Sequence, residues 1–252
     1  MHNILSVIQQ PQWQSIQEPE ESILMDISQN ALSPTIRLWH ARYKSANFSE
    51  KKPLIRKVLH DAGLETATRK RQAEFWAGRS LMMLAFCQNI PLGKSASGAP
   101  EFPRGRNGSL SHSHEDVLLL EGSDSLLFGV DIEPPLVPVS LQAVLSRVAT
   151  ETEKKWLMYL PPEQLIYATT ILFSAKETLF KLLNKEMDIP SRYGTVEAKK
   201  APHSGSVVFE LTHSLGCRLS AGDRFLIMYG RIRENIVTWG VHSPKCTSFN
   251  RS

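Results

Sequence analysis

Apolar side chains recur along this chain with two different periods, and the changes of period mark its elements. Ile36, Leu38 and His40 alternate with polar neighbours in IRLWHARY, which predicts a half-buried strand. The residues before it mix Gln, Glu, Pro and Ser with scattered apolar positions and predict an irregular lead-in with one short ordered piece around Ile23 to Ile27. Helical spacing then runs from about Pro53 to Ala62, ended by Gly63, and again from about Thr66 to Cys87. PLGKSASGAPEFPRGRNG, from Pro91 to Gly108, is dense in Gly, Pro and Ser and predicts a long loop. SLSHSHEDVLLLEG and SLLFGVDIE read as two strand-forming segments with Gly122 to Ser125 as the turn between them, and PPLVP closes the region. A helix is expected from Ser140 to about Trp156, a break at Pro161 and Pro162, and a further helix from Glu163 to about Lys185. After Pro190 the strands SVVFELTH, RFLIMYGRI and NIVTWGVH follow, the last two joined by a turn at Arg233 and Glu234. Helices and strands in each half predict an α+β protein of two units, residues 1–122 and 123–252.

Composition narrows the class. With 252 residues and 42% hydrophobic content the chain can bury a sizeable core. Cys87, Cys217 and Cys246 form no CxxC pair, so neither a disulfide framework nor a zinc ribbon is encoded, and a reducing cytoplasmic location is expected. Apolar runs such as Leu81 to Phe86 fall far short of the ~18 residues of a membrane span, and the N-terminus has no secretory pattern. A net charge of +4 is a weak overall field. It is concentrated, however, in Lys51, Lys52, Arg56, Lys57, Arg69, Lys70 and Arg71, set against Asp61 and Glu65. Such a run suits a phosphate-bearing ligand or an acidic partner, and equally a solvated helix face.

Four constellations carry chemistry. In Gly129-Val130-Asp131-Ile132-Glu133, strand alternation aims Asp131 and Glu133 to one side. Two carboxylates so close repel unless a cation or shared proton relieves them, and Mg²⁺ is the hard ion that takes such ligands together with phosphate oxygens; a solvated strand end is the plain alternative. In FSAKETLFK, Glu177 and Lys181 lie one turn apart on a helix that is apolar nearly all round, so they form either an exposed i,i+4 pair or buried charges needing partners. In RKRQAEFWAGR, Arg71 and Arg79 stand two turns apart, positioned to grip separated phosphates or to reach solvent, and Gly78 between them admits a close approach to the helix. In GSLSHSH, Ser111 and Ser113 share one strand face and His112 and His114 the other, a spacing that serves a transition metal, a phosphate or structure alone.

Taken in order, RKRQAEFWAGR, GAPEFPRGRNGSLSH, GVDIE and FSAKETLFK resemble the 4'-phosphopantetheinyl transferase family, most closely the enterobactin synthetase component D type. The resemblance covers about Arg69 to Lys181. It implies two similar α+β halves forming a pseudo-dimer, with the site in the cleft between them. It also implies transfer of the phosphopantetheine arm of coenzyme A to a serine of an acyl or peptidyl carrier protein, with release of adenosine 3',5'-bisphosphate. Asp131, Glu133 and Glu177 match its Mg²⁺ carboxylates, with Mn²⁺ as a substitute. Arg71, Arg79, Lys94, Ser111, His112 and Lys181 match coenzyme A phosphate contacts, with Asp131 beside them. Gly98, Ala99 and Pro100 match the loop beside the adenine. Glu177 would take the serine proton and Lys181 would stabilise the leaving phosphate. Phe102, Ser113 and Thr178 depart conservatively from residues common in the family, and His114 has no role in it.

Two other readings compete. A metal-dependent hydrolase would use His112, His114, Asp131 and Glu133. A non-catalytic binder of nucleic acid or acidic protein would use the basic run, but that leaves three carboxylates on apolar elements unexplained. The expectation is therefore a monomeric cytoplasmic transferase that binds neither nucleic acid nor membrane and serves siderophore, polyketide or fatty-acid carriers.

Overall fold

The computed structural model describes residues 12–17, 22–89, 91–95, 98–183, 193–215 and 219–244. They fall into two compact units that divide between Asp124 and Ser125.

The first unit contains strands β1 (Gln14–Ser15), β2 (Leu24–Ser33) and β3 (Ile36–Tyr43), helices α1 (Pro53–Asp61) and α2 (Arg69–Ala85), and strands β4 (Arg106–Ser113) and β5 (Asp116–Ser123). Its sheet is antiparallel throughout, in the order β1-β2-β3-β5-β4. α2 starts at Thr68, whose hydroxyl accepts the Arg71 N–H, and it buries Ala73, Ala77, Leu81 and Met82 in a core with Trp39, Ala41, Val117 and Leu119.

The second unit begins with β6 (Leu127–Glu133), followed by helices α3 (Pro138–Val148), α4 (Glu151–Leu157) and α5 (Pro162–Leu183). Strands β7 (Val196–Ala198), β8 (Ser206–Leu211), β9 (Arg224–Ile232) and β10 (Asn235–His242) complete it. The order β6-β10-β9-β8-β7 is again antiparallel. Each half of this α+β fold is thus a five-stranded antiparallel sheet served by one long helix. α5 seats on β6 and β10 through paired glycines: Gly129 lies opposite Gly240. A Cβ on Gly129 would stand 2.0 Å from the Thr178 carbonyl oxygen, and one on Gly240 would stand 3.0 Å from Leu182 Cδ1. Only the missing side chains let the helix backbone lie this low on the sheet.

Several expected elements differ. The short ordered piece expected around Ile23 to Ile27 is a full strand, β2, that continues to Ser33. Its alternation is hidden by register shifts at Met25/Ser28 and Ala31/Ser33, with Asp26 left-handed at φ 49°. SLSHSHEDVLLLEG is a hairpin of β4 and β5 rather than one strand. His114, at φ 53°, opens the turn, and Ser113 pairs with Asp116 across it. The helix expected from Ser140 to Trp156 is two helices. Thr150 ends the first by forming a capping box with Glu153 that starts α4. Gly78 admits no ligand; Leu110 of β4 fills the space, with Cδ2 2.6 Å from where a Cβ would be. The expected end of the last helix at Lys185, together with Cys217 and Cys246, lies outside the described residues. Among the described residues no helix is long and apolar enough to cross a membrane.

Candidate functional site

Each unit gathers charged side chains around its long helix, and the two gatherings differ in sign. In the first unit, Arg71 Nη1 donates to His112 Nε2 at 3.1 Å, which places the imidazole proton on Nδ1. Glu74, one turn on from Arg71, puts Oε2 3.5 Å from that guanidinium and 4.0 Å from His112 Nδ1. The sequence reading missed Glu74, although its i+3 spacing from Arg71 was a usable signal.

Arg79, one of the two arginines expected on α2, is only 3% exposed. It forms no ion pair within 4 Å among the described residues. Its guanidinium lies 4.6 Å from the centroid of Phe75 and donates to Met82 Sδ at 3.4 Å, while Nε has no partner among the described residues. Burial pulls its pKa down to about 10, opposed by the more distant charge of Glu101. A buried cation without a counter-ion is costly, and an arriving anion would relieve it. The alternative that Arg79 extends into solvent is therefore set aside, whereas Arg71, with half its side chain exposed, does reach the surface.

The other expected anion contacts are less closely gathered. Ser111 is buried on the strand face opposite His112, whose neighbour Leu110 packs on α2. The Lys94 ammonium donates to the Ala62 carbonyl at the C-terminus of α1. Gly98, at φ 84°, lets the loop fold back so that Ser95 N–H donates to the Ala99 carbonyl at 2.8 Å and Lys94 bridges to Pro100. His114 does not share a strand face with His112. It sits in the hairpin turn, where its carbonyl accepts from the Tyr43 hydroxyl at 2.7 Å.

In the second unit, strand alternation places Asp131 and Glu133 on one side of β6, toward α5. Lys181 Nζ donates to Asp131 Oδ1 at 2.8 Å and to the Val130 carbonyl at 3.0 Å. Ser174 donates to Asp131 Oδ2 at 2.8 Å. Behind it, Thr238, which faces Asp131 across the strand pair, lies 2.9 Å from the Ser174 hydroxyl and 2.6 Å from that of Thr178. Ser174 and Lys181, two turns apart on α5, hold the two oxygens of this carboxylate, and Thr178 between them bonds Thr238 instead. Burial first, then the negative charge of Asp131, pushes the Glu133 carboxyl up to about 7; Lys181 opposes this and Glu177 adds to it. Glu177 Oε1 accepts from the hydroxyl of Tyr193.

These three acids have the hard oxygen chemistry of a Mg²⁺ site, and Glu133, raised first by burial and then by the charge of Asp131, is a carboxyl that a nearby cation would help to ionise. They are not drawn together as a preformed cage. Among the described residues no three His, Cys, Asp or Glu side chains are close enough to hold one ion.

The fully buried charge on α5 is Lys176, which the sequence reading did not single out, rather than Glu177 or Lys181. Fully enclosed, it donates to Glu153 Oε2 at 2.6 Å, to the Val148 carbonyl at 2.8 Å and to the Tyr193 carbonyl at 3.0 Å. Burial lowers its pKa, and Glu153 counteracts.

The family model described as the 4'-phosphopantetheinyl transferase superfamily matches residues 127–225. A second, the 4'-phosphopantetheinyl transferase N-terminal domain, matches residues 59–119. The chain is 29% identical over 119 residues to the 4'-phosphopantetheinyl transferase Npt of Nocardia iowensis, a stretch covering 44% of this chain and 51% of that protein. It therefore spans about half the length of that curated relative. The hydrolase reading is not favoured by these likenesses.

Proposed function

We propose, on the likeness of both units to 4'-phosphopantetheinyl transferase family models, that this chain moves the phosphopantetheine arm of coenzyme A onto a serine of an apo acyl or peptidyl carrier protein. On the order of its four motifs we place it with the enterobactin synthetase component D type. The observation that carries the reading is Arg79, a buried guanidinium with no ion pair among the described residues, two turns along α2 from the Arg71–His112 pair. Coenzyme A bears a pyrophosphate and a 3'-phosphate, anions of the kind such a group awaits.

In this reading Arg71, Arg79, Lys94, Ser111 and His112 bind its phosphates, and Gly98, Ala99 and Pro100 border the adenine. The serine oxygen attacks the phosphorus that carries the pantetheine arm, and the bond from that phosphorus to the leaving adenosine 3',5'-bisphosphate breaks. The serine proton passes to Glu177, directly or through a water molecule. Lys181, held in place by Asp131 and the Val130 carbonyl, offers positive charge to the leaving phosphate. Asp131, Glu133 and Glu177 would hold Mg²⁺, or Mn²⁺ in its stead, which when bound supplies neutralisation of charge on the diphosphate.

Incubating the protein with coenzyme A, Mg²⁺ and apo carrier proteins from fatty-acid, polyketide and peptide pathways tests this. At least one carrier should gain the mass of the phosphopantetheine arm on its serine, and a chelator should abolish the gain. No modified carrier in the panel would refute the proposal.

A further inference from the structure

Tyr193 was not among the residues picked out from the sequence, yet the second unit is organised to hold it against Glu177. Its ring lies 6.4 Å from that of Phe173 and 5.2 Å from that of Phe180, centroid to centroid. These residues precede and follow Glu177 by about one turn of α5, so the tyrosine lies along the helix face that carries the acid. Its main chain is fastened as well. The carbonyl of Tyr193 accepts from the buried Lys176 ammonium, which is itself fixed by Glu153 and the Val148 carbonyl. On the other side, Thr212 donates its hydroxyl to the Gly194 carbonyl at 3.1 Å and its N–H to the Thr195 carbonyl at 3.0 Å. The hydroxyl that results from this anchoring donates to Glu177 Oε1.

We propose that Tyr193 is a positioning residue for Glu177: it holds Oε1 and fixes the rotamer of the acid, leaving Oε2 as the oxygen that serves substrate or cation. The inference rests on the transferase reading for the role of Glu177, but the contact itself is independent of it. A carboxylate on a helix surface otherwise samples several rotamers, and outer hydrogen bonds of this kind typically contribute about 10-fold to 100-fold in metal affinity or rate.

Tyr193→Phe keeps the ring between Phe173 and Phe180 and removes only the hydroxyl. In the full-length protein it should lower kcat on an apo carrier about 10-fold while leaving KM for coenzyme A within about twofold. It should also weaken Mn²⁺ binding to the ligand-free protein, followed by electron paramagnetic resonance, by about 10-fold. The same substitution in a Glu177→Gln background should add nothing to either measurement, because its effect passes through Glu177. Effects that add in that background, or kcat and Mn²⁺ affinity both within twofold of wild type, would overturn the proposal. If wild type modifies no carrier but binds Mn²⁺ and Tyr193→Phe weakens that binding, the transferase reading fails and the positioning role stands. If wild type neither modifies a carrier nor binds Mn²⁺, both fail.

Discussion

α2 and α5 occupy equivalent places in their units, each the long helix on a five-stranded sheet, yet they answer charge in opposite ways. α2 buries Arg79 against Phe75 and Met82, with no ion pair among the described residues. α5 brings Ser174 and Lys181 to one buried carboxylate, Asp131, and leaves a second, Glu133, raised toward neutrality. The first unit therefore buries a cation and the second gathers carboxylates, the charges that the proposed coenzyme A phosphates and Mg²⁺ would answer. Buried charge that the chain declines to neutralise marks where a ligand belongs more sharply than exposed charge does.

The largest effect is expected on the acidic side. Glu177→Ala should lower kcat by about 100-fold to 10,000-fold, the range of a lost proton acceptor, with an unchanged circular dichroism spectrum. A collapsed spectrum would make the acid structural and erase the contrast. On the basic side, Arg79→Met should raise KM for coenzyme A about 10-fold to 100-fold, the loss of a charge-assisted contact. It should also raise the Tm of the ligand-free protein, because an unpaired buried charge is removed. A fall in that Tm would mean that Arg79 is satisfied where it lies.

A smaller effect separates the seats of the two helices. Gly129→Ala drives a Cβ into the Thr178 carbonyl and should cost about 1–3 kcal/mol in denaturant titration. Gly78→Ala meets only the tip of Leu110 and regains about 1 kcal/mol of helix propensity, so it should be close to neutral. Equal losses would show the seats to be alike.

The smallest effect is one of pH. The Glu133 carboxyl stands at about 7 in the folded chain against an ordinary 4.5. It thus favours folding fully below about pH 4.5 and loses that contribution as pH rises through about 7. In chelator, Glu133→Gln should raise Tm by a few degrees at pH 8 and leave it unchanged at pH 4. Saturating Mg²⁺ should cancel the gain, and a gain that survives it would detach Glu133 from the cation.

Much of this was legible in the chain because periodicity records burial directly. The girth of α5 and the alternation in GVDIE placed Asp131, Glu133 and Lys181 on the correct elements, and the spacing of Arg71 and Arg79 put both on one helix. Local backbone events were harder to read. The left-handed His114 split a supposed strand into a hairpin, and a left-handed Asp26 concealed β2. The capping box at Thr150 was written as T-x-x-E, but the apolar pattern running through it masked the break. Contacts between residues distant in sequence left no pattern to find: Glu74 beside His112, Leu110 over Gly78, and Tyr193 on Glu177 each depend on tertiary packing.

Glu153 shows what such packing means for how the protein tolerates change. Its two oxygens close the capping box at the Thr150 N–H, receive the Ala198 N–H and meet Lys176. No shorter, longer or uncharged side chain satisfies all three donors at once. In a saturation mutagenesis survey, this site, which no ligand is proposed to touch, should accept as few replacements as the acids that do the chemistry. Depletion scores alone would then rank a fastening point alongside the reaction centre.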